Sequence, residues 1–139
     1  MGEAVRFSAS LSEDLLKAFD EYLDQKGYKN RSEGLRDIIR DNLVKQEVIA
    51  NHDVVGVLTI VYDHHVRELT QTVIEEQHNT PAEVISSMHV HLDHHNCLEI
   101  IVVKGKGSVI QKFSDRMIGI RGVKHGNLSL TSTGKNLPR

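Results

Sequence analysis

The sequence predicts an α+β fold in two modules, a strand–helix–helix unit over residues 1–50 and a βαββαβ domain of the ferredoxin-like type over residues 51–139. Three observations carry this. Apolar residues recur with period two over residues 5–11, then with helical period over the next two segments. Beyond residue 50, strand-like and helix-like stretches alternate. Gly27 and Pro81 punctuate the chain where a helix has to stop.

Residues 5–11 read V-R-F-S-A-S-L. Arg6, Ser8 and Ser10 alternate with Phe7, Ala9 and Leu11, so a strand here has one polar and one apolar face. Ser12 is placed to cap a helix, and Glu13 and Asp14 suit the positive end of its dipole. Leu15, Phe19, Tyr22 and Leu23 supply its apolar stripe, and Gly27 ends it. Asn30 opens a second helix, with Glu33 three residues on in a capping-box arrangement. Leu35, Ile38, Ile39 and Leu43 form the second stripe.

A unit this short buries too little to fold alone, and its single strand leaves backbone donors and acceptors open. Antiparallel pairing with a second copy answers both needs, so the first module reads as an obligate dimer. Pairing also sets two copies of Arg6, Ser8 and Ser10 on one face of a two-stranded ribbon. Such a ribbon fits the DNA major groove, where Arg reads guanine and hydroxyls reach base edges. Asn30, Arg31 and Ser32 open a helix whose free N–H groups suit a phosphate. The competing reading of the polar face is a solvated edge.

In the second module, residues 54–62 are β-rich. Residues 64–78 read as a helix on the spacing of Val66, Leu69, Val73 and Ile74, and Pro81 forbids its continuation. A strand over 83–92, a turn at Asp93-His94-His95-Asn96 and a strand over 97–103 follow. An amphipathic helix over 108–121 carries Val109, Phe113, Met117, Ile118 and Ile120. A last strand covers 127–131. This βαββαβ order is the split βαβ pattern. Helices on one side of four strands leave the other side to be covered by association.

Histidine is the unusual feature of the composition: 9 His against 3 Tyr, 3 Phe and no Trp. His89 and His91 are two apart on a strand and point the same way. Cys97 begins the returning strand, so a hairpin can set it beside both. His78, at the end of the preceding helix, is a candidate fourth ligand. Three His and one Cys suit Zn(II), Cu(II) or Ni(II). Glu99 shares a face with Cys97 and reads as an acceptor that orients a histidine rather than as a general base. His94 and His95 read as solvated on their turn. His52, His64 and His65 lie near segment junctions, and His125 gets no role from spacing.

The remaining composition excludes several classes. With 39% hydrophobic and 26% charged residues, the chain is neither disordered nor a membrane protein. The N-terminus lacks an apolar signal-peptide core, so a cytoplasmic location is expected. One Cys excludes an internal disulfide. A net charge of -2, from 17 basic and 19 acidic residues, announces no nucleic acid, so a DNA reading rests on local geometry. No acid–base constellation points to an enzyme.

The stretches R-F-S-A-S-L-S-E-D-L-L and G-Y-K-N-R-S-E-G-L-R-D-I-I-R resemble the ribbon-helix-helix family of bacterial and archaeal repressors. Adding Q-H-N-T at 77–80, H-V-H at 89–91, C-L-E-I at 97–100, V-K-G at 103–105 and R-G-V-K-H-G at 121–126, nearly the whole chain resembles the nickel-responsive repressors of that family. The resemblance implies an ACT-like regulatory domain and a homotetramer, a dimer of dimers. It implies Ni(II) held in a square plane by His89, His91 and Cys97 of one subunit and His78 of a neighbour, and repression of nickel-uptake genes through operator DNA. Arg67 matches a family residue that touches phosphate, and Glu33 and Asp37 match residues that hold a second cation. A solvated acidic pair is the other reading of those two. The chain departs from the family at Ser8 and Ser10, where threonines are expected, and at Val66, where a lysine is expected. The first departure bears on operator sequence, the second on the strength of the phosphate contact.

The mechanism these expectations suggest is a linkage. A His78 ligand from another subunit ties a helix end to a sheet across an interface, and the metal orders that helix and the loop before it. Metal then raises DNA affinity only by binding the DNA-competent arrangement more tightly. The alternatives are a zinc or copper sensor or store on the same scaffold, a regulator answering a small metabolite, and a metalloenzyme.

Overall fold

The computed structural model of the protein describes residues 2–138, apart from the side chain of Ile49. Met1 and Arg139, the outer edges of the two expected domains, lie outside the described residues. The chain divides into two compact units, Met1–Leu43 with Leu137–Arg139, and Val44–Asn136.

In the first unit, α1 (Glu13–Lys26) starts where Ser12 Oγ accepts the Leu15 N–H at 3.2 Å. It stops at Gly27, which takes the left-handed conformation at φ 78° that its lack of a Cβ permits. Helix α2 (Arg31–Ile49) opens with Asn30 Oδ1 accepting the Glu33 N–H at 2.9 Å. Glu33 returns its carboxylate to the Lys29 N–H at 3.4 Å, one residue ahead of the expected capping-box partner.

Residues 5–11 form no ladder in the single chain. A strand is a pairing relationship, and the expected pairing needs a second copy that one chain does not supply. The alternation itself is expressed. Phe7, Ala9 and Leu11 line one groove with Leu16, Phe19 and Leu35 of the two helices. Phe7 remains 70% exposed and Val5 87% exposed, apolar surface the single chain does not cover.

The second unit runs β1 (Asp53–Tyr62), α3 (Leu69–Asn79), β2 (Glu83–His91), β3 (Cys97–Lys106), α4 (Gly107–Ile118), β4 (Val123–Ser132). The sheet order is β2-β3-β1-β4, with every neighbouring pair antiparallel. Along β1, Val54, Leu58, Ile60 and Tyr62 are buried and join Leu69 and Val73 of α3, Ile110, Phe113 and Met117 of α4, and Ile101 and Val103 of β3. Gly56 lets α4 approach: a Cβ there would meet Ile110 Cγ2 at 2.7 Å. Val48, in the last turns of α2, also packs on this core. On the opposite face Val57, Thr59, Val61, Leu98, Ile100 and Val102 stay half-buried, and Met88 is exposed.

Three element ends differ from expectation. The helix expected over 64–78 begins only at Leu69. Asp63 Oδ1 takes the His65 N–H, and Glu68 adopts a left-handed φ of 65° that no helix can run through. The strand from Cys97 extends through the Lys-Gly-Lys stretch to Lys106, because Glu83 and Asp53 pair with Lys104 and Lys106. The helix expected over 108–121 ends at Ile118, and β4 starts at Val123 rather than 127 because Val123 pairs with Tyr62.

Candidate metal centre and nucleic-acid elements

The ladder between β2 and β3 sets His91 opposite Cys97 and His89 opposite Glu99. All four therefore point to the helix-covered face. Cys97 is fully buried, and His91 Nδ1 lies 3.8 Å from its Sγ. The His89 and His91 rings are 5.0 Å apart and nearly perpendicular. Cys97 also pairs with Tyr62 across β1, which brings the residues just after Tyr62 over the thiol.

That second pairing adds a residue that spacing did not assign to the cluster. His64 Nδ1 sits 2.8 Å from Cys97 Sγ, and the donor atoms of His64, His91 and Cys97 all lie within 4.8 Å of one another. The only sign of this is the β1–β3 register, which one sequence does not print. Burial, with the neighbouring His65 and His91, holds the His64 imidazole below its ordinary value. It therefore keeps a free lone pair near neutral pH.

His89 stands one step back from that group. Its Nδ1 lies 3.0 Å from Glu99 Oε2 and 3.4 Å from the Tyr62 hydroxyl. Glu99 is only 8% exposed, and the Tyr62 hydroxyl donates to it at 3.3 Å. Burial first and the Glu99 charge second push the Tyr62 phenol up to about 12. With Nδ1 engaged, His89 has Nε2 left for a metal, the arrangement an orienting carboxylate produces.

His78 is exposed in the last turn of α3 and is not in the cluster. The turn that reaches Cys97 lies just ahead of the opposite end of that helix, which is about 16 Å long at ~1.5 Å per residue. Arg67 is exposed in the turn before α3. His52 and His125 are exposed on the loop before β1 and on β4.

The first unit holds the residues expected to meet DNA. Arg6, Ser8 and Ser10 are exposed on the extended segment. Arg31 is clamped by both oxygens of Asp20 at 2.9 Å, while Asn30 is spent on the cap and Ser32 is exposed at the helix start. Glu33 and Asp37 share a surface concavity with Tyr28, Arg36 and Arg40. Tyr28 donates to Asp37 Oδ2 at 2.6 Å, which pushes the phenol up to about 12, and Arg40 Nη1 lies 3.6 Å from Oδ1. The Asp37 carboxylate thus already has two partners.

Two family models match the chain: "Ribbon-helix-helix protein, copG family" over residues 5–46 and "NikR C terminal nickel binding domain" over residues 55–131. Relatives named "Putative nickel-responsive regulator" are 50% identical in Geobacter sulfurreducens and 51% identical in Nitratidesulfovibrio vulgaris, each over 99% of both chains. The second unit is similar in fold to the ACT domain of a GTP pyrophosphokinase from Chlorobium tepidum, with TM-score 0.50 and 12% identity over 55% of this chain and 99% of that one. It is also similar to an uncharacterized Thermotoga maritima protein, with TM-score 0.50 and 19% identity over 57% of this chain and 98% of that one. With a ribbon-helix-helix module leading into an ACT-like sheet that carries a thiol among imidazoles, this chain belongs to the NikR family of nickel-responsive regulators.

Proposed function

We propose that this chain is a transcriptional repressor that binds operator DNA when Ni(II) occupies the Cys97 site, and so shuts down nickel uptake. The observation that carries it is the His91–Cys97 ladder pair, an imidazole facing a buried thiol with His89 and its Glu99 acceptor two residues along. The donor set fits the ion: a thiolate and neutral imidazoles suit a borderline divalent metal, and nickel with such donors favours a square plane.

His89, His91 and Cys97 supply three ligands, and His78 of a second copy supplies the fourth. The length of α3 supports that assignment, because His78 and Cys97 belong to opposite ends of the helix in one chain. The uncovered face of the sheet and the uncovered apolar residues near Phe7 support a homotetramer built as a dimer of dimers. Pairing at residues 5–11 makes the DNA-reading dimer, with Arg6, Ser8 and Ser10 toward the bases. Asn30, Arg31, Ser32 and Arg67 serve the phosphates. Residues 1–50 form the DNA-binding domain and 51–139 the regulatory domain, in the cytoplasm. Glu33 and Asp37 offer a second, weaker cation position.

A second ligand set deserves its own test because His64 is in place. Its Nδ1 meets Cys97 Sγ at 2.8 Å, so His64 is either a ligand or a neighbour that yields to His89. We take the second view, since Glu99 already orients His89.

The test is binding of the full chain to promoter duplexes of nickel-uptake genes, with and without nickel, at one salt concentration, because phosphate contacts make affinity salt-dependent. Nickel is expected to tighten binding. Equal binding of metal-free and nickel-loaded protein would overturn the proposal, as would full nickel dependence in His78→Ala.

A further inference from the structure

Arg31 is the first residue of α2, and with Ser32 it lines the concavity that holds Phe7, Ala9 and Leu11 of the extended segment. It therefore sits beside the residues read as the DNA-binding strand. Its guanidinium is already engaged: Nε donates to Asp20 Oδ1 and Nη2 to Asp20 Oδ2, both at 2.9 Å. This is the two-bond fork in which arginine holds a carboxylate or a phosphate. These hydrogen bonds hold the Asp20 carboxyl below its ordinary value and the guanidinium above its own, so both are charged at neutral pH.

The pair lies in solvent, with the Arg31 side chain 60% exposed and that of Asp20 45% exposed. Exposed pairs contribute little to stability, because water solvates the separated ions nearly as well. The crossing of α1 and α2 is held instead by Leu23, which is buried and packed so closely over Gly34 that a Cβ there would have no room. What the fork does is spend a guanidinium that a duplex phosphate would otherwise take, since Asp20 presents the same two oxygens. Glu13, Asp14, Glu21 and Asp24 are also on α1, against Lys17 and Lys26, and add repulsion of an approaching phosphate.

We infer that Asp20 is an internal competitor of the duplex: it holds the Arg31 guanidinium as a stand-in phosphate and so limits the protein's affinity for DNA of any sequence. The inference rests on the DNA-binding reading of the first unit. Phosphate contacts carry no sequence information, so the limit falls alike on operator and random DNA. It keeps the metal-free chain from settling on unrelated duplex and leaves the nickel-dependent contacts to decide binding. The exposure of the pair lets the exchange of carboxylate for phosphate proceed without unfolding either helix.

Binding of the metal-free full chain to a random-sequence duplex, followed from about 0.05 to about 0.5 M salt, tests this. Asp20→Asn keeps the side chain's shape and removes its charge. Each recovered phosphate contact should steepen the slope of log affinity against log salt by about 0.9, and tighten binding roughly eightfold at about 0.1 M salt. Arg31→Lys leaves the net charge alone and cannot form the fork, so it should steepen the slope too. Glu21→Gln removes the same charge from the same helix and should leave the slope as it is. In an Arg31→Ala background, Asp20→Asn should have no effect on the slope. Should Asp20→Asn fail to fold, Arg31→Lys alone decides. An unchanged or shallower slope in folded Asp20→Asn and in Arg31→Lys, or an equal steepening in Glu21→Gln, would overturn the inference and leave the repressor reading standing. A chain that binds neither random nor promoter duplex, with or without nickel, would overturn both.

Discussion

His89 and Glu99 face each other directly across β2 and β3, and the imidazole Nδ1 lies 3.0 Å from a carboxylate that is 8% exposed. A buried carboxylate fixes both the ring's orientation and its tautomer, with the proton on Nδ1 and the lone pair on Nε2. Glu99 thus orients His89 two residues from the His91–Cys97 pair.

Glu99→Gln keeps the size of that side chain and removes its charge. We expect nickel affinity to fall about 10- to 100-fold, the usual effect of losing an outer partner. Competition against a chelator of known affinity measures it. Unchanged affinity would show that His89 needs no orienting group.

His64 and His89 compete for one role, and paired variants separate them. His64→Ala should keep the square-planar nickel spectrum, while His89→Ala should lose it. The opposite result would make His64 the ligand.

Arg6 lies exposed on the extended segment ahead of α1. Arg6→Ala should cost about 1–3 kcal/mol of sequence-specific DNA binding and leave nickel binding by the protein unchanged. Competition between specific and random duplexes reads out the difference.

The Tyr62 phenol is pushed up to about 12 by burial and by Glu99. A raised value in the folded chain means a contribution fully present below the unfolded value near 10 and lost as pH rises through about 12. Metal-free protein should therefore lose on the order of 2 kcal/mol of stability over that window. Tyr62→Phe should flatten the step in urea melts.

Phe113 is 1% exposed at the centre of the α4–sheet core. Phe113→Ala should destabilise the second unit by about 3–5 kcal/mol. Urea unfolding of the metal-free chain checks this. A loss below 1 kcal/mol would show that the core collapses into the space.

Much of the fold can be read from local chemistry. Ser12 and Gly27 bound α1, and Asn30 starts α2, because caps act within one turn of the chain. The two-residue repeat of His89 and His91 places both on one face, because a strand alternates strictly. The start of α3 could not be read this way. Val66 and Leu69 have helical spacing, yet the Asp63 turn and the left-handed Glu68 hold 63–68 out of the helix. Periodicity records which residues want burial, not which backbone geometry a neighbouring strand imposes.

The nine histidines mark the same division. By itself the sequence set Cys97 across one hairpin from the strand of His89 and His91, because that contact is local. Only the tertiary structure decided that His64 reaches Cys97 and that His65 meets His95. Both depend on the register of β1 against β3, a pairing between segments more than thirty residues apart. Long-range register is set by the summed burial of Leu58, Ile60, Tyr62, Ile101 and their neighbours, and no single residue carries it.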